Sequence, residues 1–326
     1  MLLHSTPNCR LGSTKIALIV LFGTAIYFTA IWTVRNYTEN TTKVIGCRDG
    51  VILEGLHASE NRWYEAVLQR REFFALKGGV DKVKPMGDAG FTVIWDLIAP
   101  SFDCPQGKKR VGSIGDGGKW VCGFEVFEQT KKTGAPCVVY SFGVQDDSSF
   151  EALFLQRTNC HVFSYDMSVS QIGNPLRGHS NPKLKFASIG LGDKNNDTRK
   201  LKTLGTLMEE NGHTWLDVLK LDIEWMEIPV FEEFLKIYDV MPFGQLQVEV
   251  HLPEPFSFPK FYNMWERLEE KGLRPFSAET NLWPCLTLPL GYGTVQSRSD
   301  PRFVEYSFIN VRSNHLLVPS GFVPKI

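Results

Sequence analysis

Cys137-Val138-Val139-Tyr140-Ser141-Phe142-Gly143-Val144-Gln145-Asp146-Asp147 is the stretch on which the fold turns. A short apolar run ends at a glycine, the chain passes two acids, and a helical pattern begins at Ser148. There Ser148 and Glu151 read as a capping box, with Phe150, Leu153 and Phe154 on one helical face. His161-Val162-Phe163-Ser164-Tyr165 follows as a second strand and ends at Asp166. Strand, helix and strand in this order make a βα unit of a parallel sheet.

The pattern continues downstream. A third strand, Leu184 to Ile189, runs into Gly190-Leu191-Gly192-Asp193. Thr206 and Glu209 read as caps of a short helix. Leu216-Asp217-Val218-Leu219-Lys220-Leu221 is a fourth strand, ending at Asp222-Ile223-Glu224. Pro229 suits the first turn of the next helix, with Phe231, Phe234 and Leu235 facing inward. Leu246 to Leu252 is the fifth strand, and Pro259 opens a helix of Phe261, Trp265 and Leu268 that Gly272 ends. Val304 to Val311 belongs to a closing antiparallel pair. The expectation for residues 136–326 is an α/β fold, a mostly parallel sheet with an antiparallel closing strand.

Upstream, residues 57–135 read as an extension, helical from His57 to Leu76 and then rich in Gly, Pro and Lys. It contains Gly115-Asp116-Gly117-Gly118-Lys119-Trp120-Val121-Cys122, read as a tight turn pinned by Trp120 in preference to a loop that brings Lys119 to a ligand. Residues 35–56 are polar and without clear period, a stem. They carry the glycosylation triplets Asn36-Tyr37-Thr38 and Asn40-Thr41-Thr42, and a third is Asn196-Asp197-Thr198. Ile16 to Val34 is uncharged, and as a helix would be about 28 Å long, near the hydrocarbon thickness of a bilayer. Tyr27 and Trp32 suit an interface near its far end. The expectation is a cytosolic tail over 1–15, a single transmembrane anchor over 16–34 and a lumenal or extracellular remainder. A cleaved signal peptide, with Gly23 and Ala25 at the cleavage site, is the alternative. Flanking charge barely decides orientation, since Arg10 and Lys15 face Arg35 and Lys43. Of seven cysteines, Cys9 lies in the tail; the rest are even in number, as disulfides in an oxidising compartment require. Cys104 and Cys122 are a candidate pair.

Composition narrows the function. Hydrophobic residues at 43% supply a substantial core, which excludes intrinsic disorder. With 35 basic against 36 acidic residues and no long basic run, nucleic acid is not the expected partner.

In an open parallel sheet, ligands bind at the carboxyl ends of the strands. Gly143 stands at one such end, where a cofactor can approach the backbone. Asp166 ends the next strand, and an acid near that spacing holds the hydroxyls of an adenosine ribose. Singly these residues read as a turn glycine and a cap; their place in one strand series points to a cofactor. No GxGxxG is present, and Asp146 and Asp147 would repel a pyrophosphate. A cofactor with ribose but no phosphate satisfies both facts, and S-adenosylmethionine is one.

The segments GDGGKWVC (Gly115–Cys122), VVYSFGV (Val138–Val144), FSYD (Phe163–Asp166), IGLGDKN (Ile189–Asn195), DVLKLDIE (Asp217–Glu224) and QVEVHL (Gln247–Leu252) together resemble the methyltransferase-like protein 24 type of methyltransferase domain. The FkbM-type methyltransferases are more distant. The resemblance covers roughly residues 90 to 310. It implies a class I methyltransferase fold, S-adenosylmethionine as donor, Gly143 in the cofactor loop and Asp166 at the ribose, with Asp193 joining the cofactor-binding set. One departure stands out: relatives usually continue the fourth-strand motif as Asp-Ile-Glu-Gly-Ala-Glu, whereas bulky Trp225 and Met226 stand here. That bears on the shape of the acceptor site.

Catalytic candidates are Asp222 and Glu224 after the fourth strand, and Glu249 and His251 on the fifth. Gln245, Gln247, Glu249 and His251 share one strand face, although a covered parallel strand is normally apolar on both. Three readings stand: His251 as general base oriented by Glu249 or Asp222, a divalent cation held by this set, or a satisfied polar patch. The acceptor would be an oxygen or nitrogen of an unidentified molecule. The rival functions are a non-catalytic module of the same fold and a lumenal glycosyltransferase whose acidic pair is Asp222 and Glu224.

Overall fold

The computed structural model describes residues 25–84, 94–115, 117–252, 255–281 and 303–325, with side chains from Asp49 onward. The chain divides into two units, Met1–Glu54 and Gly55–Ile326. The first unit is helical from Ala25, the opening part of α1 (Ala25–Leu76), so the segment read as a stem is helix. No described helix is long and apolar enough to cross a membrane. The expected anchor over 16–34 lies outside the described residues as far as 24, and the tail over 1–15 lies wholly outside them.

In the second unit α2 (Ile94–Leu97) precedes a hairpin of β1 (Lys108–Val111) and β2 (Lys119–Cys122), followed by α3 (Phe124–Thr133). The sheet strands are β3 (Val138–Phe142), β4 (His161–Tyr165), β5 (Leu184–Ala187), then, after the small pair β6 (Gly190–Leu191) and β7 (Leu201–Lys202), β8 (Leu216–Leu221) and β9 (Phe243–His251). Helices α4 (Ser149–Arg157), α5 (Leu204–Asn211) and α6 (Glu227–Ile237) connect them, and α7 (Phe258–Glu270) leads to β10 (Leu273–Thr280) and β11 (Phe303–Asn310). The seven-stranded order is β10-β11-β9-β8-β3-β4-β5. Strands β5, β4, β3, β8 and β9 are parallel, and β11 runs antiparallel between β9 and β10. This is the expected mostly parallel sheet with an antiparallel closing strand. The chain winds outward from β3 to β5, then returns to β8 on the other side of β3, which places the topological switch between β3 and β8.

Alternation along the strands gives the sheet two unlike faces. Tyr140, Phe142, Leu219, Leu221, Leu246, Val248, Val250, Tyr306 and Phe308 form one, in a core shared with α5, α6 and α7. Trp265 packs there with ring centroids 4.9 Å from Tyr306 and 5.2 Å from Phe308. Residues 57–76 of α1 belong to the same unit: Phe74 meets Tyr262 edge-on at 4.7 Å. Nearby, buried Arg274 holds Glu60 through two bonds of 2.8 and 2.9 Å and lies 3.3 Å over the Trp63 ring.

The other face carries Ser164, Ser141, Lys220, Gln247, Ser307 and Ser277 in register across six strands. One step further lies the row Glu249, Glu305 and Glu279. The β1–β2 hairpin covers this polar side. The Gln245 amide donates to Cys122 O at 3.0 Å and accepts from Cys122 N at 2.8 Å, as a strand neighbour would. Gln245 is thus satisfied by the hairpin, while Gln247 donates to Trp120 O at 3.4 Å and its buried Oε1 has no hydrogen-bond partner among the described residues. Cys122 is further tied to Cys104, its candidate partner, by a disulfide, and a second joins Cys137 to Cys160.

Two local expectations are corrected. Ser148 and Glu151 form no capping box: Ser148 Oγ donates to Gly173 O at 2.9 Å and accepts from Leu176 N at 3.1 Å, while buried Glu151 accepts from Ser141. Asp147 serves α4 instead, accepting Ser149 N at 2.7 Å. For α5 the cap is Thr203, which accepts Thr206 N at 3.2 Å, not Thr206 itself. In the first case a tertiary partner displaces a local bond that the sequence also permits.

Candidate functional site

Beside the switch between β3 and β8 lies an open cleft. Its walls come from the loops after three parallel strands: Gly143 and Gln145, Asp166 to Ser168, and Asp222 to Glu224. Gly143 has φ +75°, and a Cβ there would lie 1.7 Å from Asp222 O, so only glycine fits where the two strand ends meet. Its N–H donates to Tyr165 O at 3.0 Å, and its carbonyl accepts Lys220 Nζ at 2.9 Å.

Asp166 ties the loops together. One carboxylate oxygen accepts Gln145 N at 2.8 Å; the other accepts Ser168 N at 2.7 Å and Ser168 Oγ at 2.6 Å. A carboxylate has about four acceptor sites, so capacity remains toward the cleft. Asp193 is exposed and is not part of the cleft wall. Its charge is felt by Glu233, whose carboxyl burial, and then Asp193, push up to about 7. The acids of the first loop are engaged: Asp146 pairs with Arg177 at 2.7 Å, and Asp147 caps α4.

Glu224 and Trp225 adopt left-handed backbone, with φ of 49° and 74°. Of the two bulky residues, Met226 lines the cleft. Trp225 does not; it lies against His251 and Phe303, at centroid distances of 5.3 and 5.5 Å, and stays 45% exposed.

Behind Asp222 is a buried charge cluster that sequence reading found only in part. Lys119, 1% exposed, donates to Glu305 at 2.6 Å and to Asp222 at 3.4 Å. The turn reading of GDGGKWVC is therefore corrected: the segment does close a hairpin, but Trp120 faces Glu279 (2.6 Å) while Lys119 enters the site. Asp116 lies outside the described residues. Burial would lower the Lys119 ammonium, but Glu305, Asp222 and Glu249 hold it well above its ordinary value. Burial would raise Asp222, but Lys119, Lys220 and His251 bring it below. Glu249 is pushed up to about 8 by burial, then by Asp222 and Glu305. Burial likewise takes Glu305 to about 7, against the pull of Lys119.

His251 differs from the expected base. Burial favours neutral imidazole, yet Glu227, 2.9 Å from Nδ1, outweighs it with help from Glu249 and Asp222, raising His251 to about 9. At neutral pH the ring is charged and has no lone pair with which to accept a proton. Glu227 itself is fully buried and also accepts Ile223 N at 3.1 Å. The cation expectation meets the same obstacle. Asp222, Glu224 and His251 bring donor atoms within 4.8 Å, as do Asp222, Glu249 and Glu305. However, the first set includes an imidazolium, and Lys119 already supplies positive charge to the second. The protein's own cations, Lys119 and His251, already stand among these acids, and a divalent ion does not fit the arrangement.

Lys119, Lys220, Glu227 and Glu305 are the site residues that sequence reasoning missed. The GDGGKWVC segment is the one available signal, for Lys119; Glu305 sits in a strand read only as part of a closing antiparallel pair.

The sequence profile of a family described as a methyltransferase domain matches residues 91–292. The human protein named "Probable methyltransferase-like protein 24" is 29% identical over 163 residues, 45% of this chain and 43% of that protein. The protein of the same name from Rattus norvegicus is 28% identical over 163 residues, 45% of this chain and 44% of that one. The chain thus matches less than half the length of either relative. Among solved structures, a 1,6-didemethyltoxoflavin-N1-methyltransferase from Burkholderia thailandensis is 12% identical, with 56% of this chain and 74% of that chain covered and a TM-score of 0.31.

Proposed function

The chain belongs to the methyltransferase domain family, and on that footing we propose that it transfers the methyl group of S-adenosylmethionine to an oxygen or nitrogen of an acceptor, while anchored in a membrane of the secretory pathway. The observation that carries the donor reading is the pairing of Gly143 with Asp166 at the switch point. Gly143 lets the ends of β3 and β8 meet on the cleft wall, and Asp166 beside it keeps acceptor capacity for a ribose hydroxyl. Asp146 and Asp147 disfavour a phosphate in the same loop. When bound, S-adenosylmethionine supplies an electrophilic methyl on a positively charged sulfur. The chain's part is to bind the donor and orient the acceptor beside Asp222, which lies on the cleft wall. Met226, from the same wall, narrows the acceptor side.

The uncharged run from Ile16 to Val34 supports the anchor, and the two disulfides suit an oxidising compartment. Calorimetry on the purified full-length chain tests the donor reading. S-adenosylhomocysteine should bind, and Asp166→Ala should weaken binding by about 1.5–3 kcal/mol, the scale of a lost charged hydrogen bond. Absence of binding at millimolar ligand would overturn the methyltransferase reading. For topology, protease added to sealed microsomes should spare residues 36–326; their digestion without detergent would reverse the orientation.

A further inference from the structure

Methyl transfer from a sulfonium moves charge. The sulfur–methyl bond breaks with its electron pair left on sulfur, the acceptor's lone pair bonds the methyl, and the acceptor gives up a proton. His251, already charged, is not the place for that proton.

Asp222, Glu249 and Glu305 bring carboxylate oxygens within 4.8 Å of one another. From β2 one ammonium reaches them, Lys119, at 2.6 Å from Glu305 and 3.4 Å from Asp222. From β8, Lys220 is bonded to Gly143 O at 2.9 Å. On β9, His251 is held by Glu227 of α6 and faces Glu224 at 3.7 Å. On β10, Glu279 is the register neighbour of Glu305 but is bound by Arg110 at 2.8 Å and by Trp120. Asn281 donates to Glu249 at 2.7 Å. Glu305 Oε2 is buried and has no hydrogen-bond partner among the described residues. Three carboxylates this close and this buried do not all ionise, even with Lys119 bonded to two of them and Lys220 and His251 nearby.

Resting on the methyltransferase reading, we propose that Asp222, Glu249 and Glu305 form one proton-holding group that follows the charge on the donor sulfur. It keeps a shared proton while the sulfur is neutral and releases it when a sulfonium enters. As the methyl leaves, it takes a proton back from the acceptor, with Asp222 as the point of entry from the cleft. One positive charge disappears from sulfur and one arrives as a proton, so the cleft's net charge is conserved through the step. The positions of Glu305 at about 7 and Glu249 at about 8 put this exchange near neutral pH.

The test needs no acceptor. Calorimetry of the full-length chain at pH 7.5, in phosphate and in Tris, counts protons released on binding S-adenosylmethionine and S-adenosylhomocysteine. The sulfonium should release up to about one proton more per site than the neutral sulfide, by linkage. Glu249→Gln with Glu305→Gln should abolish the difference, while His251→Asn keeps it. Equal release by the two ligands in the wild type overturns the proposal without any variant. Loss of the difference in His251→Asn alone also overturns it, by making the imidazole the proton holder. If neither ligand binds, the methyltransferase reading has failed first.

Discussion

On one face of the sheet Leu246, Val248 and Val250 share a core with Phe261 and Trp265. On the other, one residue along the same strand, Gln245, Gln247 and Glu249 meet named polar partners. The first face is held by apolar burial, which is non-directional and indifferent to pH. The second holds only while each polar group keeps its partner and each acid its protonation state. The proposed chemistry lies on the second because groups buried on those terms are the ones whose protons can be moved. Substitutions should separate the two faces cleanly.

The largest effect is expected on the apolar side. Trp265→Ala should cost about 3–5 kcal/mol in urea unfolding, the range for deleting a buried aromatic, and the loss should be the same at pH 6 and pH 8.5. A strongly pH-dependent loss would break the contrast. Lys119→Met comes next: at pH 8.5 it should cost about 3 kcal/mol or more, because it strands buried carboxylates. At pH 6 Glu305 and Glu249 are protonated and the cost should shrink. Lys119→Met combined with Glu305→Met should recover most of the loss.

The wild type carries the same signature. Glu305 and Glu249 in the folded chain, at about 7 and about 8, lie above the ordinary carboxylate range near 4.3. The folded state therefore binds more protons than the unfolded state between those limits, and stability falls as pH rises through 7 to 8. His251, raised to about 9, acts in the same direction: its contribution is full below about 6.5 and lost as pH rises through 9. Scanning calorimetry should show Tm declining from pH 6 to pH 9, with a flatter profile in Glu249→Gln plus Glu305→Gln. A Tm that rises over this range would contradict the charge assignments.

Much of this was legible in the sequence wherever the determining contact is local. Gly143 follows its strand directly, Asp166 ends the next, and the alternation from Gln245 to His251 is a property of one strand. What could not be read is partnership across the chain. Lys119 meets Glu305 from a hairpin that precedes the sheet. Glu227, which charges His251, sits on a helix where nothing marks it. The His251 base was thus a sound inference from residue type that a distant carboxylate overturned. The caps failed for a similar reason, since Ser148 found Gly173 and Leu176 in place of its own helix.

The smallest effect concerns Gln245, and it tests whether the polar face is one thing or two. Its amide meets both the N–H and the carbonyl of Cys122, at 2.8 and 3.0 Å, in a fully buried setting. Gln245→Met keeps the volume roughly but leaves both backbone groups without that partner. An orphaned buried group costs about 1–3 kcal/mol, and the added apolar burial returns part of it, so a net loss of about 1–2 kcal/mol is expected. The disulfide from Cys122 to Cys104 keeps β2 tethered, so the change should stay local. No titrating group is removed, hence the loss should be equal at pH 6 and pH 8.5, unlike that of Lys119→Met. Hydrogen exchange at the Cys122 amide should accelerate in parallel. If the Gln245→Met loss instead tracked pH as Lys119→Met does, the hairpin would be held by the charge cluster alone, and the glutamine rows would be lining rather than support.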